Sequence, residues 1–131
     1  MTASVTTLKV QATRVGLLRV DESTDDLRAE VHVTLSRNGD DVVGHATGVP
    51  ADSERAGLVA AATLDAISTP DQHFVLLDTL VTHCGGTAIA MVVVTNPDED
   101  RPLVGTAVID DENRQVAFAK ATLDALNRKL S

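Results

Sequence analysis

The chain has 131 residues, a mass of 13.8 kDa and a formal charge of −8, from 19 acidic against 11 basic side chains. One domain of about 100–200 residues accounts for that length, and 44% hydrophobic with 23% charged residues excludes wholesale disorder. An acidic chain with no local basic patch is a poor partner for a phosphate backbone, so no nucleic acid is expected. No run approaches the ~18 apolar residues of a membrane span, so no membrane is expected either.

The start, Met1-Thr2-Ala3-Ser4-Val5, lacks a cationic segment leading into an apolar stretch and does not read as a signal peptide. Cys84 is the single cysteine and has no intrachain partner, so a cytoplasmic protein is the expectation. An initiating Met1 and a helix at the C-terminus are what a complete protein would show. Trp and Tyr are absent and the only aromatics are Phe74 and Phe118, so no stacking platform for bases can be built. The 18 Val and 15 Thr make a quarter of the chain, and their branched side chains favour strands.

In chain order, Leu8 to Asp21 reads as a long strand with a bend at Gly16, followed by a polar turn over Glu22–Asp26. Arg28 to Ser36 alternates, with Val31, Val33 and Leu35 on one face and His32 and Thr34 on the other. Asn38-Gly39 supplies the two positive-φ residues of a type I′ turn. Residues on either side of that turn whose numbers sum to 77 then oppose each other. Val31 meets Ala46, Val33 meets Gly44, Leu35 meets Val42, His32 meets His45 and Thr34 meets Val43. A helix is expected after Pro50, capped by Asp52 or Ser53, running to about Ser68 and stopped by Pro70. Its buried stripe is expected at Gly57, Ala60, Leu64 and Ile67.

Phe74 to Thr82 is the next strand, His83–Thr87 a turn, and Ala88 to Thr95 a strand apolar on both faces and therefore central. An acidic loop over 96–102 leads to a strand over Leu103–Ile109. Asp110 or Asp111 caps a last helix in which Val116, Ala119, Leu123, Leu126 and Leu130 follow the helical period. Arg128 and Lys129 suit its carbonyl end.

These elements repeat. Ala62-Thr63-Leu64-Asp65-Ala66-Ile67 returns as Ala121-Thr122-Leu123-Asp124-Ala125-Leu126, an offset of 59. Val43-Gly44 returns as Val104-Gly105, an offset of 61, and a β-like run precedes each Val-Gly pair. The chain is therefore read as a single α+β domain of two strand-strand-strand-helix (βββα) repeats, about 5–70 and 71–131, with antiparallel sheets covered by two helices.

Two such units in tandem, with Ala29–Leu35 running to Gly48, Gly85-Gly86-Thr87-Ala88 before a middle strand, and a terminal Ala125-Leu126-Asn127-Arg128-Lys129-Leu130, resemble the C-terminal regulatory domain of 2-isopropylmalate synthase. The resemblance covers about residues 8–130. In that family the domain is an appendage to a catalytic barrel, pairs with its copy from a second subunit and binds leucine as feedback inhibitor. The barrel is absent here, so no synthase activity is implied. The resemblance implies a dimeric regulatory or small-ligand-binding module. Its partners would be a second copy, a small amino-acid or oxo-acid effector and an enzyme on which it docks. It places the ligand near Gly48, Gly85, Gly86, Thr87 and Ala88. The approaches to both helices differ from the family's: Val49–Arg55 is longer and Ile109–Asn113 is very acidic.

No catalytic residue, cofactor or metal is assigned. His32 and His45, as cross-strand neighbours, are the weak metal candidates, but a closed site needs about four ligands and no others are placed. Cys84 beside His83 lacks an orienting acid, and sequence neighbours on a strand face opposite ways. Gly85-Gly86-Thr87 offers open backbone N–H groups for an anion, or is a plain tight turn. Asp98-Glu99-Asp100 and Asp110-Asp111-Glu112 lack the ligand order of a calcium loop and read as solvated charge and helix capping. The alternative function is a structural protein–protein interaction domain with no small ligand.

Overall fold

The computed structural model describes residues 15–68, 73–98, 101–110 and 114–130. β1 (Val15–Thr24), β2 (Ala29–Arg37) and β3 (Asp40–Gly48) form one antiparallel sheet in the order β1-β2-β3, and α1 (Asp52–Ile67) follows. β4 (Val75–Cys84), β5 (Thr87–Thr95) and β6 (Leu103–Val108) form a second sheet in the order β4-β5-β6, followed by α2 (Arg114–Leu130). The fold is α+β, built from two βββα units.

The hairpin register is the one that Asn38-Gly39 dictates. Asn38 has φ 55° and Gly39 φ 87°, and every pair from Val31↔Ala46 to Leu35↔Val42 is formed. Gly85 and Gly86, at φ 57° and 84°, make the same kind of two-residue turn between β4 and β5. The first strand keeps its pairing to Thr24, so the turn begins at Asp25 rather than Glu22. Asp25 Oδ1 accepts the N–H groups of Leu27 and Arg28, both at 2.8 Å, and this Asx geometry ends the strand. The irregularity of β1 lies at Leu18, between Leu17 and Arg19, and Gly16 pairs regularly with Ser36. Positions 8–14 of the expected first strand lie outside the described residues, as do Pro70 and Asp111.

The duplication is visible in the pairing. Leu17↔Leu35 and Arg19↔Thr34 flank the Leu18 bulge; Leu76↔Val94 and Asp78↔Val93 flank the Leu77 bulge, 59 positions later. Leu35↔Val42 recurs as Val94↔Leu103, with eight residues between the paired positions instead of six.

The helices lie between the sheets. α1 packs on β2 and β3 of its own unit and on β4 of the other, α2 packs on β5, β6 and β1, and the two helices touch. The inner sheet faces supply Val31, Val33 and Leu35 from β2 and Ala90, Val92 and Val94 from β5, each at most 1% exposed. Burial of a Val or Leu is worth roughly 1.5–3 kcal/mol, so these central strands anchor the core.

A helix in a middle layer is apolar around most of its circumference, and α1 accordingly buries Val59, Ala60, Ala62, Thr63, Leu64 and Ile67, a wider arc than the expected stripe. Gly57 lies at its margin. The buried threonines of the two helices cost little because each hydroxyl donates to a carbonyl one turn back. Thr63 reaches Val59 at 2.8 Å and Thr122 reaches Phe118 at 2.7 Å.

Close approach of helix to sheet is bought with glycine. A Cβ on Gly44 would run into the carbonyl oxygen of Ala62 and the backbone of Ala66. One on Gly105 would run into the corresponding Ala121 oxygen and Ala125. The carbonyl end of α1 has no basic residue of its own; Arg37 Nη1 reaches across from β2 to the Ile67 oxygen at 3.3 Å.

Candidate functional site

The N-terminal turns of α1 and α2 approach each other over β4 and leave a cleft of about 160 Å³. Asp52, Ser53 and Arg114 stand at its exposed rim, with Thr79 and Gln115 deeper, over apolar walls from Ala56, Val81 and Phe118. Pockets for drug-sized ligands occupy about 300–1,000 Å³, and a dry cavity near 150 Å³ accepts benzene. This cleft therefore suits a compound of amino-acid size.

Its polar groups have a definite sense. α1 starts at Ala51 without a side-chain cap; the expected cap residues Asp52 and Ser53 are already inside the helix. The first N–H groups of α1 thus carry the positive end of the helix dipole with no side-chain acceptor on them. Arg114 adds a guanidinium, and Ser53 and Thr79 add hydroxyls. Opposing these is Asp52, whose Oδ1 lies 3.9 Å from Arg55 Nε. Gln115 Oε1 is shut off from solvent and has no hydrogen-bond partner, an arrangement that costs about 1–3 kcal/mol unless a donor arrives. The cleft combines anion-binding donors, an acceptor in want of a donor, and an apolar floor.

The glycine-turn residues lie elsewhere. Gly85 and Gly86 form the exposed β4–β5 turn, and Thr87 and Ala88 open β5. The Ala88 carbonyl accepts the Ile109 N–H at 2.9 Å. Gly48 closes β3 opposite Ala29, with Leu58 packed where a side chain would be: a Cβ there would stand 2.9 Å from Leu58 Cδ2. None of the five lines the cleft. Sequence reasoning named Asp52 and Ser53 only as caps and missed Thr79, Arg114 and Gln115, because the cleft arises where two helix starts 62 residues apart meet one strand.

His32 and His45 do face each other, with ring centroids 5.6 Å apart and planes at 20°. Stacked imidazoles direct their in-plane lone pairs past each other rather than at one point. His32 Nε2 is 3.3 Å from Glu30 Oε1, and His45 Nδ1 is 3.8 Å from Asp65 Oδ2. Among the described residues no group of three or more His, Cys, Asp or Glu is arranged to hold a metal ion. Cys84 is an exposed thiol at the end of β4.

No helix among the described residues is long and apolar enough to cross a membrane. No protein-family model matches the chain, and comparison with curated proteins finds no significant match.

Proposed function

We propose that the chain is a non-catalytic regulatory module that binds a small amino acid or oxo acid in the cleft between the two helix N-termini and works as a dimer, in the cytoplasm. The observation that carries this reading is the donor set around the cleft. A carboxylate would sit on the uncapped N–H groups of α1 and on Arg114, and a short apolar side chain on Ala56, Val81 and Phe118. The partnerless Gln115 Oε1 favours an amino acid over an oxo acid, because an ammonium group donates and a ketone does not. The resemblance to the regulatory domain of 2-isopropylmalate synthase supports the same class of ligand and an enzyme as the regulated partner.

A thermal-shift series with branched amino acids and the matching 2-oxo acids tests it. A ligand at 100 times its dissociation constant stabilises by about 2.7 kcal/mol. At roughly 3–5 °C per kcal/mol for a domain of this size, the shift is on the order of 10 °C. Absence of any shift at millimolar ligand removes the sensing role. That result would favour the second reading, a structural interaction domain, whose supporting observation is the exposed apolar surface on the second sheet.

A further inference from the structure

The duplication provides an internal control for the outer faces of the two sheets. Equivalent positions have equivalent strand pairing, so the residue at each can be compared with its counterpart in the other unit. On the outer face of β1-β2-β3 stand Asp21, Glu30, His32 and Thr47. At the matching places on β4-β5-β6 stand Leu80, Ile89, Met91 and Val108. Val93 replaces Thr34, and Val75 replaces Gly16. The fold does not require these apolar residues; its own first half dispenses with them. Val108 is 66% exposed, Val75 40% and Leu80 39%, and Ile89, Met91 and Val93 are half-buried.

We propose that the outer face of β4-β5-β6 packs against the same face of a second copy, sheet on sheet about a two-fold axis. This specifies the partner surface of the dimer in the reading above; Leu80 also borders the cleft, and the test below leaves Leu80 and the other cleft-lining residues unchanged. Charge selects the occupant. Two chains of net charge −8 repel, so a surface nearly free of charge is where they meet at least electrostatic cost. Among the described residues this face holds one carboxylate, Asp78, at its margin beside the Leu77 bulge, where Asp78 Oδ1 accepts the Thr79 N–H at 2.8 Å. A face with no charges to pair selects a partner that is also flat and uncharged, and it is itself such a surface, so two-fold pairing makes it self-complementary.

Size agrees. Three strands about 4.8 Å apart and about eight residues long at ~3.3 Å per residue give a flat footprint of roughly 14 by 26 Å, on the order of 350 Å² per copy before side-chain relief. Contiguous apolar patches of about 300–600 Å² are the largest on monomers and mark interaction sites. The pair's flat footprint, on the order of 700 Å² in total, is below the roughly 1,200–2,000 Å² of stable interfaces, so the dimer is a weak, transient one with a dissociation constant in the micromolar range or above.

Sedimentation velocity from about 1 to 200 μM tests this, with the triple variant Ile89→Glu, Met91→His, Val108→Thr, whose new residues are those of Glu30, His32 and Thr47. Wild type is expected to pass from 13.8 kDa to twice that mass over the range, and the folded variant to stay at 13.8 kDa throughout. Wild type that stays monomeric, or a variant that still dimerises, overturns the proposal. Should the triple variant lose its far-ultraviolet spectrum or cooperative melt, amide exchange of wild type at the two ends of the range decides. Protection that rises with concentration on β4-β5-β6 upholds it, and protection confined to β1-β2-β3 or to the helices overturns it. The ligand thermal shift reads the cleft alone, so the two proposals fail separately.

Discussion

The carboxylate of Asp65 holds the backbone N–H of His45 at 2.9 Å, and so a residue of α1 closes the open side of β3. Asp124 does the same for Thr106 of β6 at 3.0 Å. β3 and β6 are edge strands, and an unpaired edge N–H is a template for another chain. The aspartate of the repeated Ala-Thr-Leu-Asp-Ala segment thus explains itself: it covers one edge donor per unit. Asp65→Ala and Asp124→Ala should each cost about 1 kcal/mol in urea unfolding, the usual worth of a side chain accepting from backbone N–H. Asp65→Asn, which keeps an accepting oxygen, should recover most of the loss.

Glycine substitutions should separate by what lies in front of the missing Cβ. Gly44→Ala and Gly105→Ala drive a methyl into helix backbone that no rotamer change can clear, and each should destabilise by at least ~2–3 kcal/mol. Gly57, inside α1 with open space around its Cβ position, should gain about 0.5–1 kcal/mol on change to Ala. Thermal melts of the three variants measure the contrast.

The hydrogen bonds from Leu27 and Arg28 hold the exposed carboxyl of Asp25 below its ordinary value, since both donate to the ionised form, and the Arg28 charge assists. A depressed carboxyl contributes stability above its unfolded pKa of about 4 and loses it as pH falls through the lower folded value. Asp25 should therefore titrate below the ordinary aspartate value in carbon-detected NMR. Asp25→Asn should flatten the acid limb of the stability profile below about pH 4.

In the cleft, Arg114→Gln should abolish the ligand-induced shift while leaving the unliganded melting temperature within about 2 °C, because the side chain is exposed at the rim. Gln115→Leu should weaken an amino acid more than its oxo acid, since only the ammonium group uses the accepting oxygen. Isothermal titration of the two ligands against both variants measures this.

The order of strands and helices, the hairpin register and the repeat were legible in the sequence because each rests on short-range chemistry. Asn38-Gly39 can hardly make another turn, and the alternation of Val31, Val33 and Leu35 then settles the facing residues. The width of the buried arc on α1 was not legible, because it depends on β4 lying across the helix from the first sheet. Nor was the bulge at Leu18, where Gly16 looked the weaker residue but pairs normally. The cleft was out of reach for the same reason as the helix arc: Thr79, Arg114 and Gln115 meet Asp52 only through tertiary packing. The Gly85-Gly86 turn drew attention through conformational freedom, and the structure employs that freedom to reverse the chain.

Each helix braces both sheets, α1 reaching to β4 and α2 to β1. The halves should consequently melt together, and a chain severed within 69–72 should behave as two complementing fragments that are disordered apart and refold on mixing. By the same logic, either fragment doubled with itself is the natural starting point for reconstructing the single-unit ancestor as a symmetric pair.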